Sequence, residues 1–157
     1  MTSPLAEQKA LLDEKIRVLQ RLDGQLQWSL NHLPAVINPG HIGDPAISER
    51  IAAIVDRFCK LQDQLAGALR HAHTLLGEKQ RSFQDVITWA ITQQLLPSHE
   101  AWLELRSLRN RLTHEYDLET DRLPELLTLI REAGNALGTT IGRFVTLCER
   151  LGLRIAE

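Results

Sequence analysis

The sequence predicts an all-α fold, an up-and-down bundle of four main helices plus one shorter helix. Three observations carry this. Apolar residues recur at every third or fourth position along nearly the whole chain, the period of a helix with one buried face. Clustered proline and glycine punctuation forms one clear loop, at residues 34–46, with long helical stretches on either side. Leu, Ala, Gln, Glu and Arg dominate, and all are good helix formers. A hydrophobic fraction of 43% is ample for a core, although aromatics make up only 4%. At 157 residues the chain has the size of one domain, and residues 1–157 are read as a single helical domain.

Ser3-Pro4 is a strong helix start, with Ser as cap and Pro in the first turn. Leu5, Leu12, Ile16, Leu19, Leu22, Leu26, Leu30 and Leu33 then form the stripe of one long helix ending at Pro34. Trp28 and His32 lie on it and are expected to pack at its rim. Residues 34–46 read as the one clear loop, broken by Pro34, Pro39-Gly40, Gly43 and Asp44-Pro45. His41, within it, is expected to be simply exposed. Asp44-Pro45 opens a second long helix, whose stripe from Ile47 through Phe58 and Leu65 to Leu75 runs to about Gly77. Two long stripes joined by a short loop predict an antiparallel hairpin. On the second, His71 and His73 are two apart and face different sides, a poor metal pair.

Ser82 begins the shorter helix, with Asp85 placed for a capping box. Leu96-Pro97-Ser98 closes it and opens the next, which runs to about Tyr116. After a turn near Asp117–Thr120, Asp121 and Pro124 open the last helix, with Leu126, Ile130, Leu137, Ile141, Phe144, Cys148 and Leu151 on its stripe. Gly134, Gly138 and Gly142 recur every fourth residue beside that stripe. Each glycine costs about 0.8–1 kcal/mol relative to alanine inside a helix. Three in register predict close approach of another backbone, within the bundle in preference to across a dimer.

The net charge of −2 excludes a general polyanion binder. Any contact with RNA has to be local. Cys59 and Cys148 sit in apolar helical pattern and read as buried free thiols. No Cys/His spacing matches a zinc site, so no metal or other cofactor is expected. No stretch is apolar enough to span a membrane, and the N-terminus lacks the apolar run of a signal peptide. The expected address is cytoplasmic.

One stretch suggests chemistry: Arg109-Asn110-Arg111-Leu112-Thr113-His114-Glu115-Tyr116. Trp102, Leu105, Leu108 and Leu112 form the apolar stripe of its helix, while Arg106, Asn110, Thr113 and His114 fall on a different face. Asn110 and His114 are four apart and can touch, which would orient the imidazole. Arg109 and His114 are five apart, roughly 140° around an ideal helix. They meet at one phosphate if the arginine bends round or a second copy of the helix faces the first, so the spacing favours a dimer cleft. Histidine can move a proton to or from a ribose hydroxyl, and a guanidinium can hold two phosphate oxygens. Together they suit phosphodiester cleavage without a metal. Arg111 lies on another side near Glu104 and Glu115, as an ion-pair residue first and a substrate contact second. These residues also have ordinary structural readings. A polar face with three arginines is commonly just solvated, a His near a helix end can serve as a cap, and Tyr116 can pack with its hydroxyl outward.

The Arg-Asn-x-x-x-His-x-Tyr pattern resembles the signature of the HEPN superfamily, in particular the HepT-like toxins and their nucleotidyltransferase-associated relatives. The Leu95-Leu96-Pro97 close, Trp102 opening the motif helix, and the helix around Arg57-Phe58 are similar to that branch as well. The resemblance implies a metal-independent endoribonuclease, with Arg109 and His114 catalytic at a homodimer cleft; the reading of the residues themselves adds Asn110, Arg106 and Arg111 as substrate-binding or orienting groups. The resemblance further implies a toxin paired with a small nucleotidyltransferase antitoxin, which can adenylylate Tyr116. The same superfamily supplies an alternative, a non-catalytic helical subunit that binds substrate or nucleotide for a partner nucleotidyltransferase.

Overall fold

The computed structural model describes residues 3–79, 82–115 and 122–154; the side chains of His114 and Glu115 lie outside the description. Among the described residues six helices follow in order: α1 (Pro4–Asn31), α2 (Pro39–Ile42), α3 (Pro45–Leu75), α4 (Phe83–Thr92), α5 (His99–Glu115) and α6 (Leu123–Arg150). No strand occurs among the described residues. None of these helices is long and apolar enough to cross a membrane.

The predicted punctuation sets most of the helix starts. The Ser3 hydroxyl accepts from the Ala6 amide at 3.1 Å, and Pro4 fills the first position of α1. Asp44 accepts from the Ala46 amide at 2.9 Å to open α3. Ser82 and Asp85 form the expected capping box, with the Ser82 amide donating to the Asp85 carboxylate at 3.3 Å. Each satisfies backbone donors that a helix leaves unpaired at its first turn.

The central helix is α3. It packs along α1 as an antiparallel hairpin and also touches α2, α4, α5 and α6. Its stripe of Ile51, Ile54, Phe58, Leu61, Leu65, Leu69 and Ala72 is buried, with Phe58 fully enclosed. Leu12, Ile16, Leu19 and Leu26 of α1 and Leu126, Ile130, Leu137 and Phe144 of α6 belong to the same core. Two polar groups tie this core together. The buried Gln62 of α3 donates to the Leu105 carbonyl of α5 at 2.6 Å, and the buried Thr140 of α6 donates to the Leu95 carbonyl at 2.8 Å.

Several expectations are corrected. Residues 34–46 are not all loop, because α2 forms within them. Asn38 accepts from the His41 amide at 3.1 Å, and its own amide donates to His41 Nδ1 at 3.2 Å. His41 thus completes a capping box in the position usually held by Glu or Gln, and Pro39 supplies the first helical residue. The helix α1 stops at Asn31, before Pro34. Carbonyls at its end and just beyond accept from arginines: Arg50 donates to His32, and Arg131 to Leu30 and Pro34. The helix α4 ends at Thr92, before the Leu-Leu-Pro run. Gln94 adopts φ 62°, and the Leu95 amide reaches back to the Ala90 carbonyl at 2.9 Å. This turn buries Leu95 and Leu96 without a further helical turn. At the end of α6, Leu151 is 41% exposed and Leu153 is buried in its place. Gly152 in the left-handed region (φ 67°) lets the chain turn so that the Leu153 amide meets the Cys148 carbonyl. Trp28 is not rim packing: it is 55% exposed.

The glycine row faces α1 at two of its three positions. A Cβ on Gly134 would lie 3.5 Å from Leu30, and one on Gly138 would lie 3.4 Å from the Asp23 carboxylate. Desolvation there pushes the Asp23 carboxyl up, against a hydrogen bond with Gln27 that pulls it down. Gly142 meets nothing within 4 Å. Gly142→Ala is therefore expected to raise stability by about 0.8–1 kcal/mol, the helix-propensity gain alone, measured as a higher urea midpoint. Loss of stability would mean that a neighbour occupies this end of the row.

Candidate functional site on α5

The motif helix is held on both sides. Ser98 caps it by accepting from the Ala101 amide at 3.1 Å. Trp102, Leu105, Leu108 and Leu112 are all buried, as the spacing predicts. With that stripe against the core, Asn110 and Thr113 are exposed and Arg106 and Arg109 partly so. The Thr113 hydroxyl donates back to the Arg109 carbonyl at 3.0 Å.

Arg106 and Arg109 converge on Asp63 of α3. Arg109 donates through Nε to one carboxylate oxygen at 3.3 Å and through Nη2 to the other at 2.9 Å. Arg106 adds a bond to the first oxygen at 3.3 Å. The carboxylate thus brings two guanidiniums from successive turns of α5 side by side, and its hydrogen bond makes the Arg109 guanidinium hold its proton more tightly. The cluster is open to solvent, with Asp63 43% and Arg109 27% exposed in their side chains. Water screens such a pair, so its contribution to stability is at most about 1 kcal/mol. The cluster matters chiefly as a concentration of positive charge with orientation already imposed on it.

Cys59, one turn before Asp63 on α3, borders the same face and is half-buried, not fully buried as the sequence pattern predicts. Burial raises its thiol, while the Thr113 hydroxyl and the Arg109 guanidinium pull it down. Cys148 is fully buried in the core, and burial pushes its thiol up to about 12. His71 and His73 diverge. His73 is buried with its ring 5.3 Å from Trp89, and His71 is pushed down by burial and by the charge of Lys15.

Arg111 is not part of the Asp63 cluster. It faces the opposite side of α5, where a groove of about 610 Å³ runs between α5 and α6. Leu105, Leu108 and Ala133 line this groove, with Arg111, Arg143 and Glu132 among its polar residues. The backbone of His114 belongs to α5, but its side chain lies outside the described residues, as does the whole of Tyr116. The expected contacts of His114 with Asn110 and Arg109 lie outside the description with them. Asp63 was missed by sequence reasoning because it sits in another helix, 46 residues before Arg109, where it reads as one more polar residue of α3.

No family model, curated protein or solved structure matches the chain.

Asp63→Asn removes the charge that holds both arginines while keeping the shape. It is expected to change unfolding stability by less than about 1 kcal/mol and to strengthen binding of inorganic phosphate at this face, read in the Arg109 Nε–H resonance during a phosphate titration. Weaker phosphate binding in the variant would show that the carboxylate acts by orienting the guanidiniums and not by competing for them.

Proposed function

We propose that this protein is a HEPN-type, metal-independent endoribonuclease, the toxin partner of a small nucleotidyltransferase antitoxin. In this reading His114 takes the proton from a ribose 2′-hydroxyl as its oxygen bonds to the neighbouring phosphorus, while the P–O5′ bond breaks to leave a 2′,3′-cyclic phosphate and the departing 5′-oxygen takes a proton from water. Arg109, with Arg106 beside it, neutralises the charge that develops on the phosphate oxygens. Asn110 orients the imidazole, Arg111 contacts the strand from the far side of the helix, and a second copy of the chain completes the cleft. Adenylylation of Tyr116 by the partner places a bulky anion next to His114 and silences the site. The observation that supports this reading is the pairing of Arg106 and Arg109 on an exposed face of the motif helix, ordered by one carboxylate.

That carboxylate also favours a second reading. With Asp63 already on Arg109, the face is partly neutralised, which suits a helical subunit that binds substrate or nucleotide for a partner nucleotidyltransferase without turnover of its own.

Cleavage of RNA in excess chelator separates the two. The wild-type protein is expected to cut, and His114→Ala and Arg109→Ala to lose at least about 100-fold in rate, the usual contribution of a general acid–base or charge-stabilising group. A mass spectrum of the same preparation reads the state of Tyr116. Unmodified, folded wild-type protein that leaves RNA intact would reject the nuclease and leave the binding subunit.

A further inference from the structure

Of the three tryptophans, Trp102 is buried and Trp89 packs against His73. Trp28 is the exception, with 55% of its surface in solvent. Its ring is nevertheless held in place. His32, one turn on, stacks against it with centroids 4.0 Å apart and planes 23° from parallel. The His32 ring is itself anchored, with Nδ1 2.7 Å from the Trp28 carbonyl. One side of the indole is therefore occupied by a fixed imidazole.

The indole also borders a notch of about 460 Å³ lined by Gln20, Arg21, Gly24, Gln25, Trp28 and Arg57. The five α1 residues share one exposed face by their spacing of three and four. Gly24, a turn before Trp28, is what opens the notch. A Cβ there would meet nothing within 4 Å, so no close packing accounts for a glycine in mid-helix. Arg57 reaches over from α3 and is pinned to α1, donating to the Gln25 carbonyl at 3.2 Å and to the Ser29 hydroxyl. Its orientation is settled before any ligand arrives.

We propose that this notch is a base-stacking subsite for single-stranded nucleic acid. A flat base has the shape to slide over Gly24 against the indole, in line with the His32 stack. Stacking on an aromatic side chain is the main sequence-tolerant way to hold a single strand. The guanidiniums of Arg21 and Arg57 flank the slot where the strand's phosphates pass, and the Gln20 and Gln25 amides can donate to or accept from the edges of any base. A base with its phosphate matches this combination of π-face, cations and neutral amides. A purely apolar ligand leaves the arginines and glutamines unused, and a free phosphate leaves the indole unused. The subsite stands apart from the Asp63 cluster and does not rest on the ribonuclease reading. If that reading holds, it anchors the RNA strand at a distance from the cut.

Binding of a fluorescein-labelled twelve-residue oligoadenylate, followed by anisotropy, tests the proposal. Full-length protein carrying His114→Ala is used so that cleavage cannot intervene. Trp28→Ala and Gly24→Leu in that background are each expected to weaken binding about 5- to 100-fold, the range for loss of one stacked base. Leucine fills the notch while leaving the ring in place, and it is a better helix former than glycine, so its melting temperature is expected to hold or rise. An abasic oligomer of the same length is expected to bind the unsubstituted notch as weakly as oligoadenylate binds the variants. Equal affinity for the abasic and base-bearing oligomers, unchanged affinity in the folded Gly24→Leu protein, or no binding at all would overturn the proposal. Cleavage is scored separately with His114 restored. Base-dependent binding without cleavage by protein whose Tyr116 is unmodified keeps the subsite and rejects the nuclease, and cleavage with affinity unchanged by either substitution does the reverse.

Discussion

The hydrogen bond from Gln62 to the Leu105 carbonyl fixes how α5 lies on α3, and the candidate site depends on that register. Both groups are buried; the amide is fully enclosed and donates through Nε2, while its Oε1 has no hydrogen-bond partner. A buried polar group left unpaired costs about 1–3 kcal/mol, so sliding α5 along α3 is penalised by more than lost apolar contact. The next residue on α3, Asp63, points outward and meets Arg106 and Arg109. One step along a helix separates the group that sets the register inside from the group that collects the arginines outside.

Asp63 gives α5 an internal counter-ion. Two guanidiniums on successive turns repel each other, and a shared carboxylate offsets that repulsion while holding both planes in place. The same pairing raises the threshold for an incoming phosphate, which has to share or displace the carboxylate. The arrangement therefore suits a site that engages a strongly charged ligand selectively, in keeping with a chain whose net charge is −2. On another side of α3, Arg57 is fixed to α1 next to Trp28. The central helix thus carries polar contacts to α5 and to α1, one leading to the motif face and one to the indole.

Much of the helical order was legible because its signals are local. Ser3, Asp44 and the Ser82–Asp85 pair mark helix starts through bonds to amides two or three residues away, and those bonds form as the spacing predicts. The stripes of α3 and α5 follow from a period of 3.6 residues and are buried. Where reading failed, a less common local solution or a distant partner decided the outcome. His41 caps α2 where Glu or Gln is the usual signal, and the Leu95-Leu96 turn is anchored by Thr140 and Arg143 from α6.

The sequence by itself determined the five longer helices, most of the buried face of each, and the separation of Trp102, Leu105, Leu108 and Leu112 from Arg106, Asn110 and Thr113 on α5. These depend on the order of side chains along one helix, and that order is the sequence. The short helix α2 and the exposure of Leu5 and Leu151 were not legible in it. Only the tertiary structure decided that Asp63 holds Arg106 and Arg109, that Arg111 turns to the α6 groove instead, and that Trp28 stands in solvent beside Gly24. Each of these depends on which helix lies alongside which, and in what register. Periodicity leaves that choice open because many pairings of apolar stripes bury similar area, and buried polar bonds between helices such as Gln62 to Leu105 and Thr140 to Leu95 add a directional requirement that area alone does not.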